Sequence, residues 1–211
     1  MLMTYLGLTV LAVFALLVGS EAWWRKRRPH DEFSRKFIHI FVGSFAAFWP
    51  FYLAWGWIVA LSAAFVLGVI LSKYFKVFQS IHAVERPTWG EVYFALAVGV
   101  LAFITHQPWV YAVALLHMSL ADGLAAVAGV TWGKPTQYKV FGHAKSVIGS
   151  LTFFAVSLAL LMFYQSMTGH ALPVVAVLGI AAAATAVENL GVFGLDNLLI
   201  PIFIGLVLTR I

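Results

Sequence analysis

Asp122 closes an apolar segment and opens the stretch ADGLAAVAGVTWGKPTQYKVFGHAKSVIGS (Ala121–Ser150). That stretch carries Gly123, Gly129, Gly133 and Gly142, and then Lys134, Lys139 and Lys145, before the chain turns apolar again. A carboxylate, glycines that let backbone N–H groups approach closely, and several ammonium groups are what a Mg²⁺-bound polyphosphate requires. The stretch reads as the nucleotide end of a membrane enzyme. It is not a P-loop, whose pattern is G-x-x-x-x-G-K-[ST]. Only Val130, Thr131 and Trp132 separate Gly129 from Gly133, Pro135 follows Lys134, and Ala144 stands where a glycine should precede Lys145.

Three further segments carry polar groups that an apolar chain has no structural need for. In ENLGVFGLDNLLIP the acid–amide pair Glu188-Asn189 recurs as Asp196-Asn197 across two glycines. Asp122 with Glu188 or Asp196 makes a hard, all-oxygen donor set suited to Mg²⁺. Asp196 has a second reading as the N-cap of the last helix. Glu188 ends a helix, where the macrodipole disfavours an acid. SRKFIHI places Arg35, Lys36 and His39 within about one helical turn, with Arg35 and His39 four apart on one face. This is a phosphate clamp with a titratable neighbour or, for Arg35, the basic flank of a span. ERPTWGEVYF gathers Glu85, Arg86, Thr88 and Glu91 around a Pro-Thr-Trp-Gly turn. Arg86 can fork onto a phosphate, and Glu91 either holds a cation or answers a helix dipole.

The elements that must hold these residues are helices in lipid. The chain has 211 residues, is 63% hydrophobic and only 10% charged, and has a mean hydropathy of +0.96. That is too little polar surface for a soluble globule. The fold expected is all-α: a polytopic bundle forming one domain over residues 1–211, with a first span and basic loop (1–33) and a motif-bearing core (34–201). About eight apolar runs approach the length that a bilayer core of roughly 30 Å demands. They are Met1–Trp24, Lys36–Trp49, Phe51–Ser72, Val92–Thr105, Trp109–Val130, Val147–Met167, Leu172–Val187 and Leu198–Ile211. Twelve of the thirteen lysines and arginines fall in alternate connections, which the positive-inside rule makes cytoplasmic. Glu85, Glu91, Asp122, Glu188 and Asp196 then gather at the cytoplasmic face, and acids at a membrane boundary are functional candidates by default.

Other features have plainer readings. The eight tryptophans form an aromatic belt. Without cysteine there is neither a disulfide framework nor a thiolate metal site. His30, His82, His106, His117, His143 and His170 show no metal-ligand spacing. RKRRPHDE is a topogenic signal in contact with the bilayer surface, not a nucleic-acid site. Partner-facing and lipid-facing helix surfaces are alike in composition, so a homo-oligomer stays open.

Taken in order, SRKFIHI, ERPTWGE, ADGLAAVAG…WGK…GHAKSVIGS and ENLGVFGLDNLLIP resemble the membrane-bound CTP-dependent lipid-alcohol kinases. That group includes dolichol, phytol and farnesol kinases and the CTP-dependent diacylglycerol kinase, with a distant similarity to CDP-diacylglycerol synthases. The resemblance covers Ser34 to Pro201. It implies Mg²⁺-dependent phosphoryl transfer from CTP to the hydroxyl of an isoprenoid alcohol or diacylglycerol, at the cytoplasmic face of a bacterial or archaeal plasma membrane. In that scheme Asp122, with Glu188 or Asp196, holds Mg²⁺, and Lys134 and Lys145 neutralise the triphosphate. Lys36, Arg86, Thr88, Ser146, Gly123 and Gly133 line the nucleotide, and His39 or Glu91 takes the hydroxyl proton. Two alternatives are a cytidylyltransferase using the same site and a small transporter with a midplane site.

Overall fold

The computed structural model describes the backbone of residues 2–27, 31–75 and 88–211, and the side chains of residues 3–26, 36–75 and 88–211. Eight helical rods appear among the described residues, in the order of the eight expected apolar runs. They are α1 (Leu2–Arg27), α2 (Asp31–Ala47), α3 (Trp55–Phe75), α4 (Gly90–Ile104), a rod made of α5 (Pro108–Leu116) and α6 (Asp122–Trp132), α7 (Val147–Thr168), α8 (Val174–Leu190) and α9 (Asp196–Arg210). Among the described residues, four stretches are long and apolar enough to cross a membrane: Met3–Lys26, Trp55–Phe75, Pro108–Trp132 and Val147–Thr168. Lys36–Phe51, Gly90–Ile104 and Val174–Leu190 are apolar but shorter. At about 1.5 Å per residue their helices fall short of a full hydrocarbon core. The protein is a membrane protein built as a helical bundle.

The α5–α6 rod is the axis of the bundle. α2, α7 and α9 pack against it, while α3 pairs with α4, α4 with α9, and α7 with α8. Val110 to Leu116 are all buried, so α5 is apolar all round, as a helix sheathed by others must be. Pro108 starts it at the first helical position, where its missing N–H costs nothing. Between α5 and α6 the residues His117–Ala121 form a π turn. Such turns insert one residue into a helix and recur at functional sites. His117 is buried there and satisfied, with Nδ1 bonded to the Val113 carbonyl at 2.8 Å and Nε2 to Ser157 Oγ at 3.0 Å. It is a core histidine.

The all-α expectation needs one correction. After α6 the chain forms an antiparallel hairpin, β1 (Gln137–Val140) and β2 (His143–Ser146), which pairs Tyr138 with Lys145 and Val140 with His143. Its two-residue turn, Phe141-Gly142, has φ of 47° and 82°, the left-handed pair that hairpin twist favours. The strand end becomes the start of α7, where Ser146 Oγ accepts the Gly149 N–H at 3.1 Å as a side-chain cap. Gly133 closes α6 against this cap, and a Cβ there would stand 2.4 Å from the Gly129 carbonyl and from Ser146 Oγ.

Candidate active site

Asp122 is the first residue of α6, set by the π turn on the face toward α2. It is 2% exposed, and an isolated buried carboxylate there would be prohibitively costly. Two residues of α2, three apart on one helical face, answer it. The buried Lys36 ammonium pairs with Asp122 Oδ2. His39 Nε2 lies 3.7 Å from the same oxygen and 3.0 Å from the Met118 carbonyl. A carbonyl only accepts, so Nε2 carries the hydrogen. The face that matters in SRKFIHI is therefore Lys36–His39; the side chain of Arg35 lies outside the described residues.

Glu188, in the last turn of α8, is likewise buried, and Lys145 of β2 donates to its Oε1 at 2.5 Å and to its backbone carbonyl at 2.9 Å. Burial alone would lower the Lys145 pKa, but Glu188 beside it, with Asp196 and Asp122 behind, holds it above the ordinary lysine value. Asp196 opens α9 as its first helical residue, not as its N-cap, which is Leu195. Asp122, Glu188 and Asp196 each offer a carboxylate oxygen, all within 4.8 Å of one another. Three carboxylates against two ammonium groups leave a net charge of −1. The donor set is hard and all-oxygen, so these residues fit a divalent cation such as Mg²⁺.

These groups line one cavity of about 250 Å³. Thr88, Gln137, His143, Ser146 and Ser150 add hydrogen-bonding side chains to its wall. The acid–amide repeat has a division of labour. Each acid faces the cavity and each amide pins a neighbouring element. Asn189 Oδ1 accepts from Tyr138 Oη and from Ser150 Oγ, the latter at 3.1 Å, while its Nδ2 donates to the Thr185 carbonyl at 2.9 Å. Tyr138 and Lys145, cross-strand partners, are thus tied to consecutive residues of α8, and this double attachment fixes the hairpin over the cavity. Asn197 Nδ2 donates to the Gly90 carbonyl at 2.8 Å, joining the starts of α9 and α4. The same junction needs Gly194, at φ 87°, where a Cβ would meet Gly90 Cα at 2.5 Å. Thr88 completes it, donating to the Phe193 carbonyl at 3.2 Å and accepting from Gly90 N–H at 3.0 Å.

Of the residues that sequence reasoning selected, Lys36, Asp122, Lys145, Ser146, Glu188, Asp196 and Thr88 come together in this cavity. His39 stands at its edge and Glu91 lines a different cavity. Lys134 is exposed in a 3₁₀ turn away from the lining. Gly123 and Gly133 are also outside the lining: Gly123 lets α6 approach Ile40 of α2, and Gly133 packs on Ser146. Arg86 and Glu85 lie outside the described residues. Tyr138, Asn189 and His143 went unselected. The amides standing directly beside Glu188 and Asp196 were the available signal.

In comparison with known proteins, the chain is 32% identical over 207 residues to the phytol kinase of Synechocystis sp., an alignment covering 93% of this chain and 86% of that protein. No family model and no solved structure matches it.

Proposed function

The chain belongs to the family of membrane lipid-alcohol kinases, and from that premise we propose that it transfers the γ-phosphoryl group of CTP, with Mg²⁺, to the hydroxyl of an isoprenoid alcohol. The observation that carries this reading is the meeting of Asp122, Glu188 and Asp196 with Lys36 and Lys145 in one cavity. Phosphoryl transfer asks little covalent chemistry of a protein and depends on positioning and charge. The three carboxylates would hold Mg²⁺, which would supply positive charge against the charge that develops on the transferred phosphoryl group. Lys36 and Lys145, each against an acid in the structure, are placed to turn to phosphate oxygens when those acids engage the metal. Thr88, Ser146 and Ser150 offer hydroxyl groups to the rest of the triphosphate.

The choice of CTP rests on the family resemblance, and an isoprenoid acceptor on the relative's name, phytol kinase. By the positive-inside rule the lysine-bearing connections support a cytoplasmic position for the cavity, where a water-soluble nucleotide would meet an alcohol whose chain stays in lipid. The test is purified protein with γ-labelled CTP, Mg²⁺ and a panel of phytol, farnesol, geranylgeraniol, a long polyprenol and diacylglycerol. Label in an isoprenoid phosphate is the expected result. Label confined to diacylglycerol would move the acceptor class, and release of pyrophosphate with a lipid phosphate as acceptor would replace kinase by cytidylyl transfer.

A further inference from the structure

A second cavity, of about 50 Å³, has a different chemistry. Its walls are apolar: Leu17 of α1, Ile38 and Val42 of α2, Phe65 and Val69 of α3, and Phe94 of α4. α1 and α3, which contribute Leu17, Phe65 and Val69, are the least buried of the four long apolar stretches, at 11% and 17%. Three polar side chains also line it: His39, Glu91 and Asn197. Two of these carry buried oxygens without a hydrogen-bond partner, Glu91 Oε1 and Asn197 Oδ1. Asn197 is 3% exposed, and its amide is oriented by the bond from Nδ2 to the Gly90 carbonyl. Buried acceptors without donors are rare, and each calls for a donor from water or from a ligand.

Apolar walls with two unpaired acceptors suit a molecule that is aliphatic except for a hydroxyl. The cavity also adjoins the phosphate site. Lys36 lines one and His39, about one turn along α2, the other; Asp196 lines one and Asn197, the next residue, the other. His39 Nε2 is 3.7 Å from Asp122 Oδ2. We propose that this cavity seats the hydroxyl end and first carbons of the acceptor alcohol, with Glu91 and Asn197 receiving the hydroxyl hydrogen. The assignment rests on the kinase reading above. In the reaction the hydroxyl oxygen bonds to the γ-phosphorus while the bond from that phosphorus to the β–γ bridging oxygen breaks. The nucleoside diphosphate leaves with the electron pair, and the hydroxyl proton passes to Glu91. Asn197 is a positioning residue that holds the hydroxyl for this transfer.

The experiment is photo-cross-linking of the intact protein with a diazirine analogue of farnesol, without nucleotide, and peptide mapping of the label. Label on Val42, Phe65 or Val69 that unlabelled farnesol competes away, and that Val69→Trp reduces about tenfold, is expected for a site that binding fills. Label spread over α1 and α3 and indifferent to competitor overturns the site. Glu91→Gln should lower kcat with the alcohol by about a hundredfold or more while leaving the binding of a fluorescent CTP analogue unchanged. An unaltered kcat overturns the role of Glu91. Competed label without any phosphorylation would refute the kinase reading and keep the cavity as an alcohol site. Phosphorylation without competed label would do the reverse.

Discussion

Replacing Asp122 by asparagine removes one negative charge from the carboxylate cluster and keeps the side-chain shape. The three carboxylates stand within 4.8 Å of one another. At an effective dielectric of about 20, each such repulsion is worth about 3.5 kcal/mol. The substitution relieves two of these and leaves the buried Lys36 ammonium without its partner, a loss of about 3–5 kcal/mol where a buried pair is broken. The relief, about 7 kcal/mol in all, exceeds that loss by about 2–4 kcal/mol, so without metal the variant should melt no lower than wild type. Function has no such compensation. A unit charge about 4 Å from an opposite charge is worth about 4 kcal/mol at that dielectric, and each 1.36 kcal/mol is about tenfold in rate. Turnover should therefore fall about a thousandfold, with a matching loss of Mg²⁺ affinity. The assay is phosphate transfer from labelled CTP across a Mg²⁺ titration, beside a thermal melt in the same detergent. Turnover within tenfold of wild type in a folded D122N protein would refute the assignment of these acids to the reacting nucleotide.

Lys145→Met strands Glu188 and should cost about 3 kcal/mol, the low end for a broken buried pair, because the lysine side chain keeps 18% exposure. Its pKa is raised by folding, so its contribution is complete below the ordinary lysine value and lost as pH rises through the raised one. The difference in melting temperature between wild type and K145M should stay flat from neutral pH to about pH 10 and shrink above it. Lys134→Ala, on an exposed turn outside the cavity, should leave turnover and KM for CTP within about twofold, as for a surface substitution. Gly133→Ala meets a backbone carbonyl and Ser146 Oγ, neither able to retreat, and should lower stability by about 1–3 kcal/mol. Gly123→Ala meets only the Ile40 side chain, whose rotation should make it the milder of the two in the same melt.

Much of this was legible because acids and lysines are scarce in an apolar chain. Asp122 and Glu188 stood out because no cap or dipole explains them, Asp196 only beside its reading as an N-cap, and the structure places the three together. The helical rods were legible from the same apolar runs. The hairpin was not, because its turn is Phe141-Gly142, without the asparagine or aspartate that usually announces left-handed backbone. The glycines were misleading for a related reason: close approach of a backbone is required by phosphates and by neighbouring helices alike, and sequence does not say which. Glu91 and Asp122 read as members of one polar face, yet they line separate cavities, since the tilt and phase of α4 relative to α6 are tertiary facts.

The π turn at His117–Ala121 makes this fold unusually sensitive to a change in chain length. Deleting one residue from it would restore ordinary helix and rotate everything beyond by about 100° relative to α5. Asp122 would swing away from Lys36, while hydropathy, charge and the run of apolar segments stayed almost as they were. A homologue lacking that single residue would align along its whole length and insert into the membrane in the same way, with its key carboxylate turned out of the cluster. In an alignment of relatives, a one-residue gap at this point should mark chains whose counterpart of Asp122 no longer meets the other two acids.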